Sequence, residues 1–221
     1  MYTLYHFPIC PLSRLARVLL SEKQLHFKLI EERAWERSPH LSTINPSMEL
    51  PVLSIESYNI CPIYAICEYL EAVDEEISFL SKSHLANAEI RRLFHWFTHN
   101  FYNEVTKYLL EEKVISHYTR RGEPKSNVLR IARNNLIYHL DYIEFLLHSR
   151  KWLAGDNVSL ADIAAATQIS TLDYLNDMHW DKHQLTKEWY AVLKSRPSFR
   201  PLLNDRIMSF TPPPHYQNLD F

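Results

Sequence analysis

The pattern of hydrophobic and polar residues changes character near residue 80. In the first part, short runs that favour strands alternate with segments of helical periodicity, which is typical of a small α/β domain. The strand-like runs cover 2–6, 25–30 and 52–55, and the helical segments cover 12–23 and 63–72. From Leu85 onward, almost every segment has apolar residues three and four positions apart. The rest of the chain is therefore predicted to be all α.

The helices of the second part are delimited by their own end signals. A long aromatic segment over 86–116 predicts the first helix, Gly122 provides a left-handed stop, and Pro124 suits the first turn of the next helix. One face of that next helix carries the apolar residues Leu129, Ala132, Leu136, Leu140, Ile143 and Leu147. This face is predicted to pack into a core.

A capping box is predicted further along the chain, at Ser159 and Asp162. The serine oxygen can accept from an orphan N–H at a helix start, and the acid three residues later can reach back to the backbone. The small apolar residues 163–166 predict a central helix that its neighbours approach closely. These patterns divide the chain into an N-terminal domain over 1–79, a linker over 80–86, a helical domain over 87–211 and a tail over 212–221.

Composition narrows the functional classes. The 221 residues are 46% hydrophobic with a formal net charge of −2, which predicts a folded protein without the positive field that nucleic-acid binding needs. Two glycines exclude a glycine-rich phosphate loop, and three dispersed cysteines exclude a disulfide framework or a four-ligand zinc site. No apolar run is long enough to cross a bilayer. We expect a cytoplasmic protein with no nucleic-acid partner and no membrane insertion.

Two histidines, His95 and His99, have the spacing of a zinc-binding pair on one helical face. The residues between them lack the glutamate of a zincin, so we interpret them as a core or surface pair and expect no metal site.

Three features together resemble the cytosolic glutathione S-transferase (GST) superfamily: the βαβ half, a Leu50–Pro51 step entering a strand, and a helical half with a Ser-x-x-Asp cap. The likeness covers essentially the whole chain. It implies the cytosolic GST fold, with an N-terminal thioredoxin-like βαβ-ββα domain followed by a helical domain. It further implies a cis peptide bond before Pro51 and a two-fold homodimer.

A more specific resemblance is carried by Trp35-Glu-Arg, by the segment from Ser195 to Leu203 and above all by the tail from Pro212 to Phe221. The phrase Ser195-Arg-Pro-Ser-Phe alone is widespread among transferases of this fold. These phrases are similar to the FzlA-like family of FtsZ-localised cell-division proteins of alphaproteobacteria, which have a GST-like fold. The resemblance implies a non-catalytic homodimer that binds FtsZ filaments and regulates bacterial cell division at the division site. The function that the resemblance implies requires no cofactor.

In that family, the surface that faces FtsZ uses a tryptophan, an acid, a Leu-Arg pair and the penultimate aspartate. These roles carry over onto Trp35, Glu112, Leu129, Arg130 and Asp220. Glu111 competes with Glu112 for the role of the acid, Leu129 also belongs to the apolar face of its helix, and Arg130 has the alternative role of a structural salt-bridge partner.

The tail has three consecutive prolines, which stiffen it as polyproline II. Its aromatic and apolar residues Tyr216, Leu219 and Phe221 are closely spaced. We interpret the tail as a docking element that holds these side chains ready for a partner.

The alternative function is a glutathione-dependent transferase or thiol transferase with Cys10 as its nucleophile. Cys10 directly precedes a predicted helix, whose amides and dipole would lower the thiol pKa. By resemblance, Ser13 stands where a resolving cysteine sits in redox pairs, and glutathione would lie against Cys10, Ser13, Leu50, Pro51 and Ile63. Cys10 can equally be a small half-buried hydrophobe, with Ser13 bonding locally.

One departure from the family pattern weighs against glutathione. Aligned on the phrase 65–70, the acid-serine pair that holds the γ-glutamyl carboxylate falls on Pro62 and Ile63. Neither side chain carries a hydroxyl or a carboxylate. Two lost charge-assisted bonds, at roughly 1.5–3 kcal/mol each, predict binding weaker by about two to four decades. A scaffold with some other protein partner remains a third interpretation.

Overall fold

The computed structural model describes residues 1–74, 76–208 and 210–219. The chain forms two compact units: an α/β unit of 1–79 with 197–211, and a helical unit of 80–196 with the tail from 212 onward. Segment 197–211, which the sequence assigned to the helical domain, thus belongs to the α/β unit. The reason is a set of polar contacts with the first helix, described below.

The α/β unit is built on a four-stranded sheet with the order β2-β1-β3-β4. Strands β1 and β2 run parallel, whereas β3 is antiparallel to both β1 and β4. The elements are β1 (Tyr2–His6), α1 (Pro11–Glu22), β2 (Phe27–Glu31), a 3₁₀ turn (Ala34–Glu36), α2 (Pro39–Ile44), β3 (Val52–Ile55), β4 (Tyr58–Ile60) and α3 (Ile63–Val73). This arrangement confirms the predicted N-terminal half of the GST fold.

The predicted boundaries agree closely for β1, β3, α1 and α3, whereas β2 begins two residues later than expected. Leu25 donates its N–H to the carbonyl of Leu20 at 3.0 Å, after Gln24 at a φ of +54°, so it closes the helix α1 instead of starting a strand. Periodicity alone located neither helix α2 nor strand β4, because six and three residues are too few for a clear period. The fourth strand was implied only by the resemblance, through the βαβ-ββα order.

The helical unit begins with one continuous helix, α4, over 84–118, which confirms and slightly extends the predicted one. Its winding alternates between α and π in the segments His84–His95, Trp96–Thr106, Lys107–Leu110, Glu111–Ile115 and Ser116–Tyr118. Gln168 of a neighbouring helix donates to the carbonyl of Phe97 at 2.9 Å and accepts from the Thr106 hydroxyl at 2.6 Å. These bonds satisfy polar groups within the first π segment.

The remaining helices are α5 (Ser126–Leu147), α6 (Leu160–Tyr174), α7 (Gln184–Lys194) and, in the α/β unit, α8 (Arg200–Leu203). Gly122 has a φ of +100°, as its predicted stop role requires. On α5, Ala132, Leu136, Leu140 and Ile143 are buried, whereas Leu129 and Leu147 are half-buried. The predicted apolar face is therefore confirmed at its centre and partly exposed at its two ends.

Helix α6 is the core of the helical unit, since all 15 of its residues are buried. The predicted capping box is present at its start. Asp162 Oδ2 accepts from the Ser159 N–H at 2.9 Å, and Oδ1 accepts from the Trp189 indole at 3.0 Å. The capping carboxylate therefore also ties α7 to the central helix.

Candidate functional site

Three chain segments implied to form a glutathione site meet at one edge of the sheet. In the strand register Tyr5 pairs with Val52 and Leu53 pairs with Ile60. The residues that follow β1, precede β3 and follow β4 therefore lie at the same edge. This edge carries the candidate glutathione residues, which are Cys10, Ser13, Leu50, Pro51 and Ile63.

Cys10 is the N-cap residue of α1 and is partly exposed. Burial of its sulfur raises the pKa of the thiol, and this effect outweighs the lowering by hydrogen bonds from Ser13 and the Leu12 N–H and by the Arg14 charge. The amides at the helix start therefore lower this pKa as predicted, but the net shift is upward because burial has the larger effect. The thiol is protonated at neutral pH, which makes it a weak nucleophile.

The start of β3 has the backbone that the resemblance implied, because the Leu50–Pro51 peptide bond is cis. Pro62, also after a cis bond, is the N-cap residue of α3, and Ile63 is buried with 7% of its surface exposed. A proline ring and a buried aliphatic side chain stand where a carboxylate ligand would need hydrogen-bond donors. These residues fit a glutathione carboxylate poorly.

Behind this edge lies a buried polar cluster that sequence reasoning missed. Arg17 binds Asp205 through two hydrogen bonds, of 2.8 and 2.9 Å, and Arg14 reaches the same carboxylate at 3.4 Å. Arg14 also donates to the Pro8 carbonyl at 2.9 Å. Since Asp205 belongs to segment 197–211, these bonds attach that segment to α1. The sequence signal was weak: two arginines three apart within an otherwise apolar helix.

His6 lies close to the same arginines and is buried. Within the described part of the chain its Nδ1 has no hydrogen-bond partner. Burial, together with the charges of Arg17 and then Arg14, lowers the pKa of His6 to about 3. His6 is therefore neutral at physiological pH.

We expect acid to destabilise the α/β unit through His6. Its pKa is about 6.5 in an unfolded chain, so as the pH falls below that value the unfolded chain binds a proton that the folded chain does not. The resulting loss between pH 7 and pH 5 is about 2 kcal/mol. Urea unfolding at both pH values should show a smaller loss for His6→Leu than for wild type. The exposed His26→Leu serves as the control, and equal losses in wild type and His6→Leu would contradict the assignment.

Of the residues carried over as partner contacts, Trp35 lies in the α/β unit. It sits in the 3₁₀ turn Ala34–Glu36 and is half-buried, and its ring packs edge-on against Phe7 with centroids 4.9 Å apart. Phe7 is buried just before Cys10. Trp35 therefore presents its remaining surface beside the candidate glutathione edge.

Glu112, Leu129 and Arg130 lie in the helical unit, where a hydrogen bond connects α4 to the start of α5. The Glu112 carboxylate accepts from the Lys125 N–H, the N-cap residue of α5, at 2.8 Å. Arg130 is exposed and Leu129 is half-buried, one turn into that helix. The structure thus groups the acid with the helix that carries the Leu-Arg pair. Asp220 lies outside the described residues.

The tail includes a side chain whose predicted role is wrong. Tyr216, expected to be held ready for a partner, has 0% of its surface exposed. Its ring packs edge-on against Tyr174 with centroids 5.2 Å apart. Pro213 keeps a polyproline II backbone, with φ −62° and ψ 153°, and a 3₁₀ turn follows at Pro214–Gln217. In this turn the tyrosine side chain is buried in the helical unit. Tyr216 is a buried anchor, not a partner contact.

Sequence reasoning also missed the charged pair beneath that tyrosine, Asp173 and Lys194, both fully buried. Burial raises the pKa of Asp173 and lowers that of Lys194, and their mutual attraction opposes both shifts. The signal in the sequence was an acid inside the apolar segment 172–175, together with a lysine at the end of the amphipathic segment 184–194.

Two searches of the described residues gave negative results. Among 1–74, 76–208 and 210–219, no group of three or more His, Cys, Asp or Glu side chains is placed to hold a metal ion. Within these described ranges, no helix is both long enough and apolar enough to cross a membrane. His95 and His99 form an exposed pair with stacked rings, 4.8 Å between centroids.

Comparison with known proteins gives a consistent picture. Residues 4–76 match the family profile described as glutathione S-transferase, N-terminal domain, and residues 110–206 match the C-terminal domain of the same family. The sequence is 44% identical to FtsZ-localized protein A of Caulobacter vibrioides, over 99% of this chain and 98% of that protein.

Solved structures agree with the sequence comparison. A crystal structure of a glutathione S-transferase from Rhodospirillum rubrum is 44% identical, covers all of both chains and superposes with a TM-score of 0.96. The structure of FzlA from C. crescentus is also 44% identical, covers 100% of this chain and 99% of that one, and has a TM-score of 0.95. The same fold is therefore found in a protein named as a glutathione S-transferase and in FzlA.

Proposed function

This chain belongs to the glutathione S-transferase family, and we propose that within it the protein is a non-catalytic homodimer that binds FtsZ filaments and regulates bacterial cell division. The observation that carries the proposal is the 44% identity, over 99% of the chain, to a relative named for its localisation with FtsZ. At 99% coverage the alignment reaches into the tail, which lies beyond the C-terminal family profile, since that profile ends at residue 206. The proposed site of action is the division site in the cytoplasm.

The candidate glutathione edge supports a binding role over catalysis. A protonated Cys10 thiol lacks the charge that activates a nucleophile, and Pro62 with Ile63 replaces the groups that hold the substrate carboxylate. The proposed function needs neither glutathione nor another cofactor.

Exposed apolar side chains on α5 support association with a second copy. Ile131, Tyr138 and Phe145 follow one another at seven-residue intervals, and Phe145 leaves 68% of its surface exposed. This spacing places all three on one helix face. A dimer would present two copies of each partner contact, so even weak single contacts would favour filaments over free subunits.

We expect the purified protein to co-sediment with GTP-assembled FtsZ from the same organism, and Asp220→Lys to weaken binding by about tenfold or more, the loss typical of a charged contact that is reversed. Asp181→Lys makes the same charge change at an exposed position of the helical unit and should pellet like wild type. Failure of the wild-type protein to pellet with assembled FtsZ would refute the proposal.

A glutathione-dependent transferase that uses Cys10 is the second candidate function, favoured by Ser13 beside the thiol and by the start of β3 lying next to the end of β1. We expect wild-type protein to bind glutathione only weakly. Ile63→Ser should restore one charge-assisted bond and tighten binding by about tenfold or more. Isothermal titration measures both, with Ile63→Ala as the control for lost bulk. Tight glutathione binding by the wild-type protein, with no further gain in Ile63→Ser, would favour the enzyme instead.

A further inference from the structure

The C-terminal tail is held to the helical unit by a defined set of side chains, here named the tail anchor: Asp173, Lys194, His215 and Tyr216. Tyr216 is its apolar part. The side chain is fully buried, packs against Tyr174 and places its hydroxyl 3.5 Å from that of Ser170. Burial of an aromatic side chain of this size stabilises a docked segment, because it removes a large apolar surface from water.

The polar part of the tail anchor is a buried ion pair, Asp173 with Lys194, and the tail residue His215 contacts both of its members. Lys194 Nζ lies 3.4 Å from Asp173 Oδ2 and donates to the His215 carbonyl at 3.3 Å. The other carboxylate oxygen, Oδ1, is 3.1 Å from His215 Nε2. Lys194 Nζ also lies 5.6 Å from the centroid of the Tyr216 ring. Each charged group of the pair is therefore bound both by its partner and by the tail.

The tail anchor ends at Tyr216, and the surface changes directly after it. Gln217 and Asn218 are exposed, and Leu219 is half-buried. Leu219 lies three residues beyond Tyr216, so at about 3.3–3.6 Å per residue it stays within about 11 Å of the anchor. With the anchor released, Leu219 would be tethered through seven residues to Pro212 and could lie about 25 Å from it.

We propose that the tail anchor positions Gln217 to Leu219 for partner binding, an inference that rests on the proposed function. Its four members are positioning residues, since they fix the point from which these residues continue the chain. Release of the anchor makes the tether of Leu219 a little over twice as long, and the effective concentration of a tethered group falls as the −3/2 power of tether length, here by about three- to fourfold. Anchor release therefore weakens binding by about three- to fourfold without altering any residue beyond Tyr216.

The test compares Tyr216→Ala, which releases the anchor, with Tyr216→Phe, which keeps the ring and loses only the 3.5 Å hydroxyl contact. A third variant, His215→Ala, removes the contact between His215 Nε2 and Asp173. Each full-length protein is assayed by hydrogen exchange of the tail amides without partner, by circular dichroism, and by co-sedimentation with GTP-assembled FtsZ.

We expect Tyr216→Ala and His215→Ala to speed up exchange in 212–219, to keep the helical signal, and to bind FtsZ about three- to fourfold more weakly, whereas Tyr216→Phe behaves like wild type. Faster exchange with unchanged FtsZ affinity would overturn the inference and leave the proposed function standing. Unchanged exchange in Tyr216→Ala would overturn it as well. If wild-type protein does not pellet, the proposed function and this inference fail together.

Discussion

Replacing Asp162 with alanine is expected to lower the free energy of unfolding of the helical unit by about 3–5 kcal/mol, the range found when one partner of a buried charged network is removed. The carboxylate is fully buried and accepts four hydrogen bonds. The donors are the Leu153 N–H at 2.8 Å, the Trp189 indole at 3.0 Å, and the N–H and hydroxyl of Ser159 at 2.9 and 2.7 Å.

The reason for so large an effect is that these donors have no access to water once the carboxylate is gone. A loss of only about 1 kcal/mol, the value of an ordinary helix cap, would contradict this account. Denaturant unfolding followed by circular dichroism measures the loss. Asp156→Ala, a few residues away at an exposed position, should change stability by no more than about 0.5 kcal/mol.

Replacing Asp205 with alanine is expected to destabilise the α/β unit by a similar amount, about 3–5 kcal/mol. The Asp205 side chain is 11% exposed, and the two arginines it binds, Arg14 and Arg17, are 0% and 7% exposed. Without the carboxylate, two like charges would lie buried side by side. Segment 197–211 would also lose its bidentate attachment to α1.

A second variant distinguishes charge burial from lost packing. Asp205→Ala combined with Arg17→Met removes one of the two uncompensated cations, and we expect it to recover part of the loss, about 1–2 kcal/mol. Glu76→Ala, at an exposed acid of the same unit, is the control. Additive losses in the double variant would show that the ion pair contributes little, and proteolysis within 197–211 would report whether the segment detaches.

Two sets of candidate residues show where sequence reasoning succeeded and where it failed. The loss of polar groups at Pro62 and Ile63 could be read from residue identity alone, since no fold gives proline an N–H or isoleucine a hydroxyl. The direction of the pKa shift of Cys10 could not be read in this way. The start of a helix lowers a thiol pKa and burial raises it, so the two effects oppose each other. Only the atoms packed around the sulfur determine which is larger.

The tail illustrates the same limit. Its prolines and its closely spaced Tyr216 and Leu219 indicated a docking element, and the structure shows a 3₁₀ turn at Pro214–Gln217 with Tyr216 buried. Residue identities alone could not decide whether Tyr216 faces a partner or its own unit. That depended on Asp173 and His215, which are 42 residues apart and bind each other at 3.1 Å.

The sequence by itself determined the local structure of this protein: the strands and helices with clear periods, the glycine stop at Gly122, and the capping box at Ser159, whose partner is three residues away. Tertiary structure alone decided which charges are paired. Arg17 and Asp205 are 188 residues apart, and nothing in either neighbourhood indicates the other. Interactions within one or two helical turns follow from residue order, whereas a buried ion pair depends on the packing of the whole unit around it.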